Sequence, residues 1–360
     1  MTSLPARPSS GFRRAPPGRD LLRVLLVSPG FHGYHSAISA ALSARGHDVA
    51  THVYDDHGGL MGRAAFQVRH QLPHKLGAGS LRRLGREETE RAASVVEDAR
   101  PEAVLVVKGD TLGPQFWESL AGLPRVTWLY DELRRTRYSV DVLTGIGPIA
   151  TYSARDHEAF ASAGLDSRHL PLAYDHRLVP SPTGARTHRV SFVGARYPVR
   201  ARALTHLHDH GVPVVAYGRD WSKHPVDRLR TWRIGAPSIP AERDVSRATA
   251  YDVMASSAAT LNLHGDQDGF TMRTFEASGV GAVQLVDRTD IEPLYEPGAE
   301  VLTFSSQDEL LELCRRVALE GSDADGIRVA ARRRTLAEHT FDHRVAVLEG
   351  AWDTPRQSTS

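Results

Sequence analysis

Arg23–Tyr54, RVLLVSPGFHGYHSAISAALSARGHDVATHVY, decides the reading of the fold. Arg23–Ser28 is an apolar run long enough for a buried strand and too short for a helix. A glycine-containing loop, PGFHG, follows it, and then Ile38, Leu42 and Arg45 fall at helical spacing. Gly46 stands where a helix C-cap glycine belongs. Asp48–Tyr54 reads as the next strand. Strand, helix and strand in this order build a parallel sheet.

The alternation continues outward. GREETERAASVVEDAR is helical and stops at Pro101, and AVLVV (Ala103–Val107) is a buried strand. GPQFWESLAG is a short helix, RVTWLY and GPIATYS are strands, ARDHEAFASAG is a helix ending on Gly164, and HLPLAY is a last short strand. The strands are apolar on both faces, as a sheet covered by helices on two sides requires. Residues 58–85 are irregular and read as a long excursion. RLVPSPTGART, Arg177–Thr187, has the proline, glycine and serine content of a linker. The alternation then restarts with HRVSFVG and runs through IEPLYE, expected as a short helix, to the closing amphipathic run FDHRVAVLEGAW.

Length and composition fit two such halves. The chain has 360 residues, 41% hydrophobic and 24% charged. At about 100–200 residues per domain that is two domains with ample cores. The net charge of +1 excludes a basic nucleic-acid binder. No apolar run approaches the ~18 residues of a membrane span. Residues 1–20 are rich in Pro, Arg, Ser and Gly and lack the apolar core of a secretory signal, so they read as a disordered tail on a cytoplasmic protein. Cys314, the one cysteine, excludes an intramolecular disulfide and a cysteine metal cluster, and its periodic setting ELLELCRRVALE makes it a structural thiol on a helix. Only Lys75, Lys108 and Lys223 are lysines, so arginine carries nearly all the positive charge.

Ligands of open parallel sheets sit at the carboxyl ends of strands. The loops there hold the candidates. Gly30 and Gly33 let backbone approach a ligand after the first strand, and the next helix start offers N–H groups to an anion. His32 is an acceptor-side base or orienter, or simply a loop histidine; with His35 alone it lacks the third ligand of a metal site. In WLYDEL, Asp131 either takes a proton or holds a sugar hydroxyl, or caps a helix. In SFVGARYPVRARAL, Gly194 ends a strand, and Arg196, Arg200 and Arg202 lie near the next helix start, where guanidinium forks suit a diphosphate or form a solvated face. Tyr217 and Gly218 open YGRDW, where Tyr217 or Trp221 stacks on a base or packs in the core. LNLHGDQDGFTMRTFEASGVGAVQLVD is the strongest stretch. It sets Asp268 in a loop and Glu276 eight residues on in a helix that begins around Thr271. A carboxylate accepts both hydroxyls of a vicinal diol such as ribose, and the N–H groups of Gly269, Phe270, Thr271 and Met272 suit a phosphate. The alternative is an ordinary loop–helix junction.

DGFTMRTFEASGVGAVQLV resembles the motif E-G-F-G-L-x-x-x-E-A-x-A-x-G-x-P-V of the glycosyltransferase group 1 superfamily. NLHGDQDGFTMRTFEASGVGA, DIEPLYEPGAEVLTF, EHTFDHR, FVGARYPVRARAL, YGRDW and ARGHDV look like its CgeB-like (spore maturation) branch. The likeness is strong from about Ser191 to Arg344 and diffuse from Leu21 to Ala173. It implies a GT-B fold: two Rossmann-like, doubly wound parallel-sheet domains facing a cleft. Residues 21–176 would form the acceptor-side domain, 177–187 the linker, 188–340 the nucleotide-sugar domain, 341–354 a helix crossing back, and 355–360 a tail. It implies a hexosyltransferase-type enzyme that moves a sugar from a nucleotide diphosphate donor to a hydroxyl acceptor, without a metal or other cofactor and with retention. By resemblance Glu276 binds the donor ribose, Asp268 stands near the transferred sugar, and Arg273 contacts the diphosphate. The family's acid at the first of these positions is Glu, and its clamping lysine is missing here, which leaves Arg196 or Arg200 to serve. The alternatives are a nucleotide-sugar epimerase on the same fold and a non-catalytic nucleotide-sugar-binding or structural protein. PGFHG departs from G-x-G-x-x-G, against a dinucleotide dehydrogenase.

Overall fold

The computed structural model describes residues 21–56, 78–181, 185–231, 237–320 and 322–353. The expected tails at 1–20 and 355–360, residues 58–77 of the expected 58–85 excursion, and residues 182–184 of the expected linker lie outside the described residues; residues 78–85 are not irregular but open the Ala78–Ala99 helix. The chain forms two compact units. Among the described residues, 21–56, 78–171 and 341–353 belong to the first, and those from Leu172 to Thr340 to the second.

The first unit is built on β1 (Arg23–Ser28), β2 (Asp48–Val53), β3 (Ala103–Val107), β4 (Arg125–Leu129), β5 (Ile149–Thr151) and β6 (Ser167–His169). All pair in parallel, in the order β2-β1-β3-β4-β5-β6. Leu26 lies between Thr51 and Leu105 in this register. Every residue of β3 is buried, as expected for a strand covered on both faces. β2 is half exposed, which reflects its edge position and its mixed sequence DVATHV. The Tyr34–Ala44 helix buries Tyr34, Ala37, Ile38, Ala41 and Leu42, one stripe at helical spacing. Gly46, with φ of 98°, takes the left-handed turn that ends it.

The closing segment belongs to the same unit. The Phe341–Leu348 helix sets Phe341 against Tyr34, with ring centroids 6.3 Å apart. Beyond it Glu349 is fully buried. Arg45 donates Nε and Nη2 to its two carboxylate oxygens at 2.5 and 2.6 Å, and the His47 ring lies 3.1 Å away. A carboxylate so buried is stable only when matched in this way.

The second unit is built on β7 (Val190–Val193), β8 (Val214–Tyr217), β9 (Ala241–Glu242), β10 (Ala259–Asn262), β11 (Gln284–Val286) and β12 (Leu302–Thr303), again all parallel, in the order β12-β11-β10-β7-β8-β9. Phe192, Leu204, Trp221, Leu261, Leu285 and Leu310 share its core. Cys314 is buried in the same cluster, and burial pushes its thiol up to about 12, so it packs as a small apolar group.

Several elements differ from expectation; the Pro225–Thr231 helix and the short strand β9 were not foreseen. IEPLYE makes a single hydrogen-bonded turn, Tyr295 N–H to Ile291 O at 3.0 Å, because Pro297 and Gly298 redirect the chain. HLPLAY is not a strand: β6 stops at His169, and Pro171 prevents the pairing from extending further. The Val140–Ile146 helix was unforeseen; its signal is Ser139, whose hydroxyl accepts from the Val142 N–H.

Leu261 is 3% exposed on the central strand β10. Leu261→Ala is expected to destabilise the second unit by about 2–5 kcal/mol, read from its denaturant midpoint. A cost under about 1 kcal/mol would show that this cluster is not the unit's core.

Candidate functional site

Strand order locates the candidate site of the second unit. From β7 the chain winds outward through β8 and β9, then returns to β10 on the other side of β7 and winds away through β11 and β12. The switch point of the sheet therefore lies between β7 and β10. The loops leaving these two strands are Gly194–Tyr197 and Leu263–Thr271. They hold Gly194, Arg196, Asp268, Gly269, Phe270 and Thr271, and the helices that follow them hold Arg200, Met272, Arg273 and Glu276.

Arg200 joins the two loops. Its Nε donates to Leu263 O at 2.8 Å and its Nη1 to Ala195 O at 3.3 Å, while its guanidinium lies over the Phe192 and Tyr197 rings. It acts as a brace across the switch point. Arg196 lies over the Trp221 ring, 5.5 Å from its centroid. Trp221 is core, not a platform for a base: it is 1% exposed and its indole N–H donates to Gly194 O at 2.9 Å. Gly218 has φ of 154°, and a Cβ there would come 2.6 Å from Gly194 O, so the β7 and β8 turns approach too closely for any other residue. Tyr217 is half-buried at the end of β8.

The Met272–Gly279 helix starts from Thr271, whose side chain makes no capping bond. Gly269 and Met272 are buried, and Asp268, Phe270 and Thr271 are half-buried. Glu276 has no exposed surface. Arg273 donates to its Oε2, and the Tyr251 hydroxyl donates to Oε1 at 3.4 Å. The sequence brings Asp268 and Glu276 onto one loop–helix unit, but the structure gives them different settings, one half-exposed and one sealed.

Beneath this loop lies a polar network that the sequence reading missed. Asn262 donates its amide to Thr274 Oγ1 at 2.8 Å and to Gln284 Oε1 at 2.7 Å. Gln284 donates to Thr274 O at 3.1 Å and to Ser278 Oγ at 2.9 Å. The His264 ring spans from Thr274 Oγ1 (3.2 Å) to Asp287 Oδ1 (2.8 Å), and Asp287 also accepts the N–H groups of His264 and Gly265. Burial alone would raise the Asp287 carboxyl. The bonds from His264 and Gly265 outweigh it and hold the group below its ordinary 3.8. Arg288, also missed, donates to Gln267 O and Asp268 O, pairs with Asp290, and lies 4.2 Å over the Phe270 ring. Asp287 and Arg288 directly follow the buried strand β11, and that position was the available signal.

In the first unit the order places the switch between β1 and β3. Gly30 donates its N–H to Asp55 at 2.6 Å. His32, exposed and at φ of 47°, occupies a strained short turn that ends on Gly33, the helix N-cap. After β3, Lys108 takes φ of 61°, also rare without glycine, and its Nζ meets Asp131 Oδ2 at 2.6 Å. Lys108 was not foreseen, although it directly follows a fully buried strand. Glu88 is 6% exposed beside these loops; burial, reinforced by Asp55 and opposed by Arg91 and Arg137, pushes its carboxyl up to about 7. Among the described residues, no group of three or more His, Cys, Asp or Glu could hold a metal ion, and no helix is long and apolar enough to cross a membrane.

Residues 196–350 match a family of proteins described as glycosyl transferase-like. Most of the chain resembles solved structures. An Anabaena protein, Alr3699/HepE, in complex with UDP-glucose, matches at TM-score 0.61 and 14% identity over 92% of this chain and 98% of that one. AviGT4, a glycosyltransferase of avilamycin A biosynthesis, matches at 0.56 and 19% over 92% and 97%. Sucrose-phosphate synthase from Thermosynechococcus elongatus matches at 0.61 and 12% over 91% and 97%. The fold is GT-B. No curated protein matches by sequence. In this GT-B chain the family match covers the Arg196 loop, the Asp268–Glu276 stretch and the network beneath it.

The Asp287 carboxylate makes a testable contribution. Its folded pKa lies below 3.8, so its stabilisation is fully present above that value and is lost as pH falls through the lower folded value. Asp287→Asn is expected to unfold earlier than the wild type near neutral pH, with the gap narrowing in acid. Equal gaps in denaturant titrations at about pH 7 and about pH 3 would rule out this contribution of the Asp287 carboxylate.

Proposed function

We propose that the protein is a glycosyltransferase that moves a sugar from a nucleotide diphosphate donor to a hydroxyl acceptor. The observation that carries this reading is the glycosyl transferase-like match over residues 196–350, which contains Asp268, Arg273 and Glu276. The UDP-glucose bound to the Anabaena protein of similar fold makes UDP-sugars the first donors to try.

In this reading the second unit takes the donor. The Glu276 carboxylate holds the ribose diol, and the N–H groups at the start of the Met272–Gly279 helix receive the diphosphate. Arg273, in the first turn of that helix, leaves Glu276 for the diphosphate when the donor enters. One movement then frees a carboxylate oxygen for ribose and supplies a cation to the leaving group. Arg196 adds a second cation from the β7 loop. In the reaction the bond from the anomeric carbon to the diphosphate breaks, the acceptor oxygen bonds to that carbon, and the acceptor proton leaves. Asp131, beside Lys108, and His32 are the proton-handling groups of the first unit, which takes the acceptor. Side chains and the helix end stabilise the departing diphosphate, so no metal or other cofactor is assigned. By the resemblance Asp268 stands near the transferred sugar, and the family motif favours retention. The finer placement as a hexosyltransferase-type, CgeB-like (spore maturation) protein rests on the sequence resemblance, and the cytoplasmic placement on the composition of residues 1–20.

The test is a thermal-shift screen against UDP-, GDP- and dTDP-sugars, followed by turnover with candidate acceptors. Glu276→Ala is expected to lose at least about 100-fold in donor kcat/KM, near 2.7 kcal/mol, with its circular dichroism unchanged. Undiminished turnover in that variant would sink the assignment. Asp131→Asn is expected to lower kcat by roughly 100-fold while leaving donor KM within about twofold; a change confined to donor KM would remove Asp131 from proton handling. A second reading has a structural neighbour behind it: a UDP-N-acetylglucosamine 2-epimerase assigned from Listeria monocytogenes shares the fold at TM-score 0.55 and 12% identity. Donor incubated alone separates the two, because an epimerase changes the sugar without an acceptor.

A further inference from the structure

The Glu276 carboxylate is fixed by more than its own helix. The Tyr251 hydroxyl donates to Glu276 Oε1 at 3.4 Å, and Tyr251 is itself fully buried. Its ring packs on the Tyr174 ring, centroids 5.4 Å apart and planes 30° apart. Tyr174 in turn lies on the helix that carries Glu276. A Cβ at Gly279 would come 2.5 to 2.7 Å from the Tyr174 ring atoms, so the ring rests directly on that glycine. The Tyr174 ring thus touches both the Tyr251 ring and the helix that carries Glu276.

Tyr174 is anchored independently. Its N–H donates to His339 O at 2.8 Å, and it forms a bridge with Thr340. The next residue, Asp175, accepts from Arg247 Nη2 at 2.8 Å, with both side chains nearly buried. Arg247 begins the Arg247–Ser256 helix on which Tyr251 sits. His339 meets the Met272–Gly279 helix through its neighbouring residue Phe275, with ring centroids 5.4 Å apart. The segments by which the chain enters and leaves the second unit, 172–175 and 339–340, thus both bear on the Glu276 helix.

We infer that Tyr174 is a positioning residue that sets the Glu276 carboxylate through the Tyr251 hydroxyl, and so sets the unit's affinity for a nucleoside diphosphate. This rests on Glu276 being the donor-binding carboxylate. The ring of Tyr174 carries the effect, so phenylalanine should replace it.

The experiment measures UDP binding by calorimetry in the full chain, with melting temperature recorded beside each value. Tyr251→Phe and Tyr174→Leu are each expected to weaken UDP binding about tenfold, while Tyr174→Phe stays within about twofold of the wild type. The double variant Tyr174→Leu/Tyr251→Phe is expected to bind no more weakly than Tyr251→Phe alone, because both changes break one relay. Should Tyr174→Leu fail to fold, Asp175→Asn loosens the same segment and is expected to weaken UDP binding in the same direction. Effects that simply add in the double variant, or wild-type binding in Tyr174→Leu or Asp175→Asn, would overturn the relay. Glu276→Ala separates the relay from the carboxylate's own role. If it binds UDP as the wild type does, the donor-carboxylate reading fails. If it loses UDP while Tyr251→Phe keeps it, the relay alone fails.

Discussion

Asn262 stands at the end of the central strand of the second sheet with one amide nitrogen shared between two acceptors. Its bonds to Thr274 and Gln284 fasten the Met272–Gly279 helix to β10 and β11. Both partners are sealed from water, so each lost bond would leave a buried polar group unmatched, at a cost of about 1–3 kcal/mol. The network extends through His264 to Asp287, and from there to the backbone of the loop. It fixes the loop and the helix start together. The placement of Glu276, Arg273 and the N–H groups at Gly269–Met272 depends on this fastening, as does the way Tyr251 can reach the carboxylate.

The arrangement explains why a site can be built from so short a helix. Eight residues give little intrinsic stability, since helix nucleation is unfavourable and short helices are marginal alone. Here seven of the eight, Met272 and Thr274 to Gly279, are buried, and polar residues among them are tied to strands. Arg328 and Arg332 take up carbonyls at and just past its end, Arg328 at Gly281 and Arg332 at Gly279. Tertiary contacts hold the helix along most of its surface, and the side chains it presents gain fixed positions.

The parallel sheets were legible in the sequence because their signal is local. Runs such as RVLLVS and AVLVV, each set beside a helical stripe, admit few other arrangements. The loop–helix position of Asp268 and Glu276 was legible for the same reason. The polar links were not. Nothing near His264 in the chain points to Asp287, twenty-three residues on, and Arg200 gave no sign that its guanidinium would be spent on Leu263 O and Ala195 O. The position of Trp221 after β8 suited a base platform and a core side chain alike; its burial against Phe192 and its bond to Gly194 assign it to the core. Lys108 shows the opposite case. Its place directly after the buried strand β3 was a local signal of the same kind.

Cys314 has a practical consequence. It is the sole thiol of the chain, sealed in the core of the second unit and held in its protonated form by burial. A thiol must ionise and be reached before it reacts with a maleimide or an iodoacetamide. A cysteine introduced at an exposed position, such as Val329 on the Ser322–Glu338 helix, would therefore take a fluorophore or spin label selectively. The natural chain supplies its own silent background, and distances between chosen pairs of surface points can be read in solution without first removing a native residue.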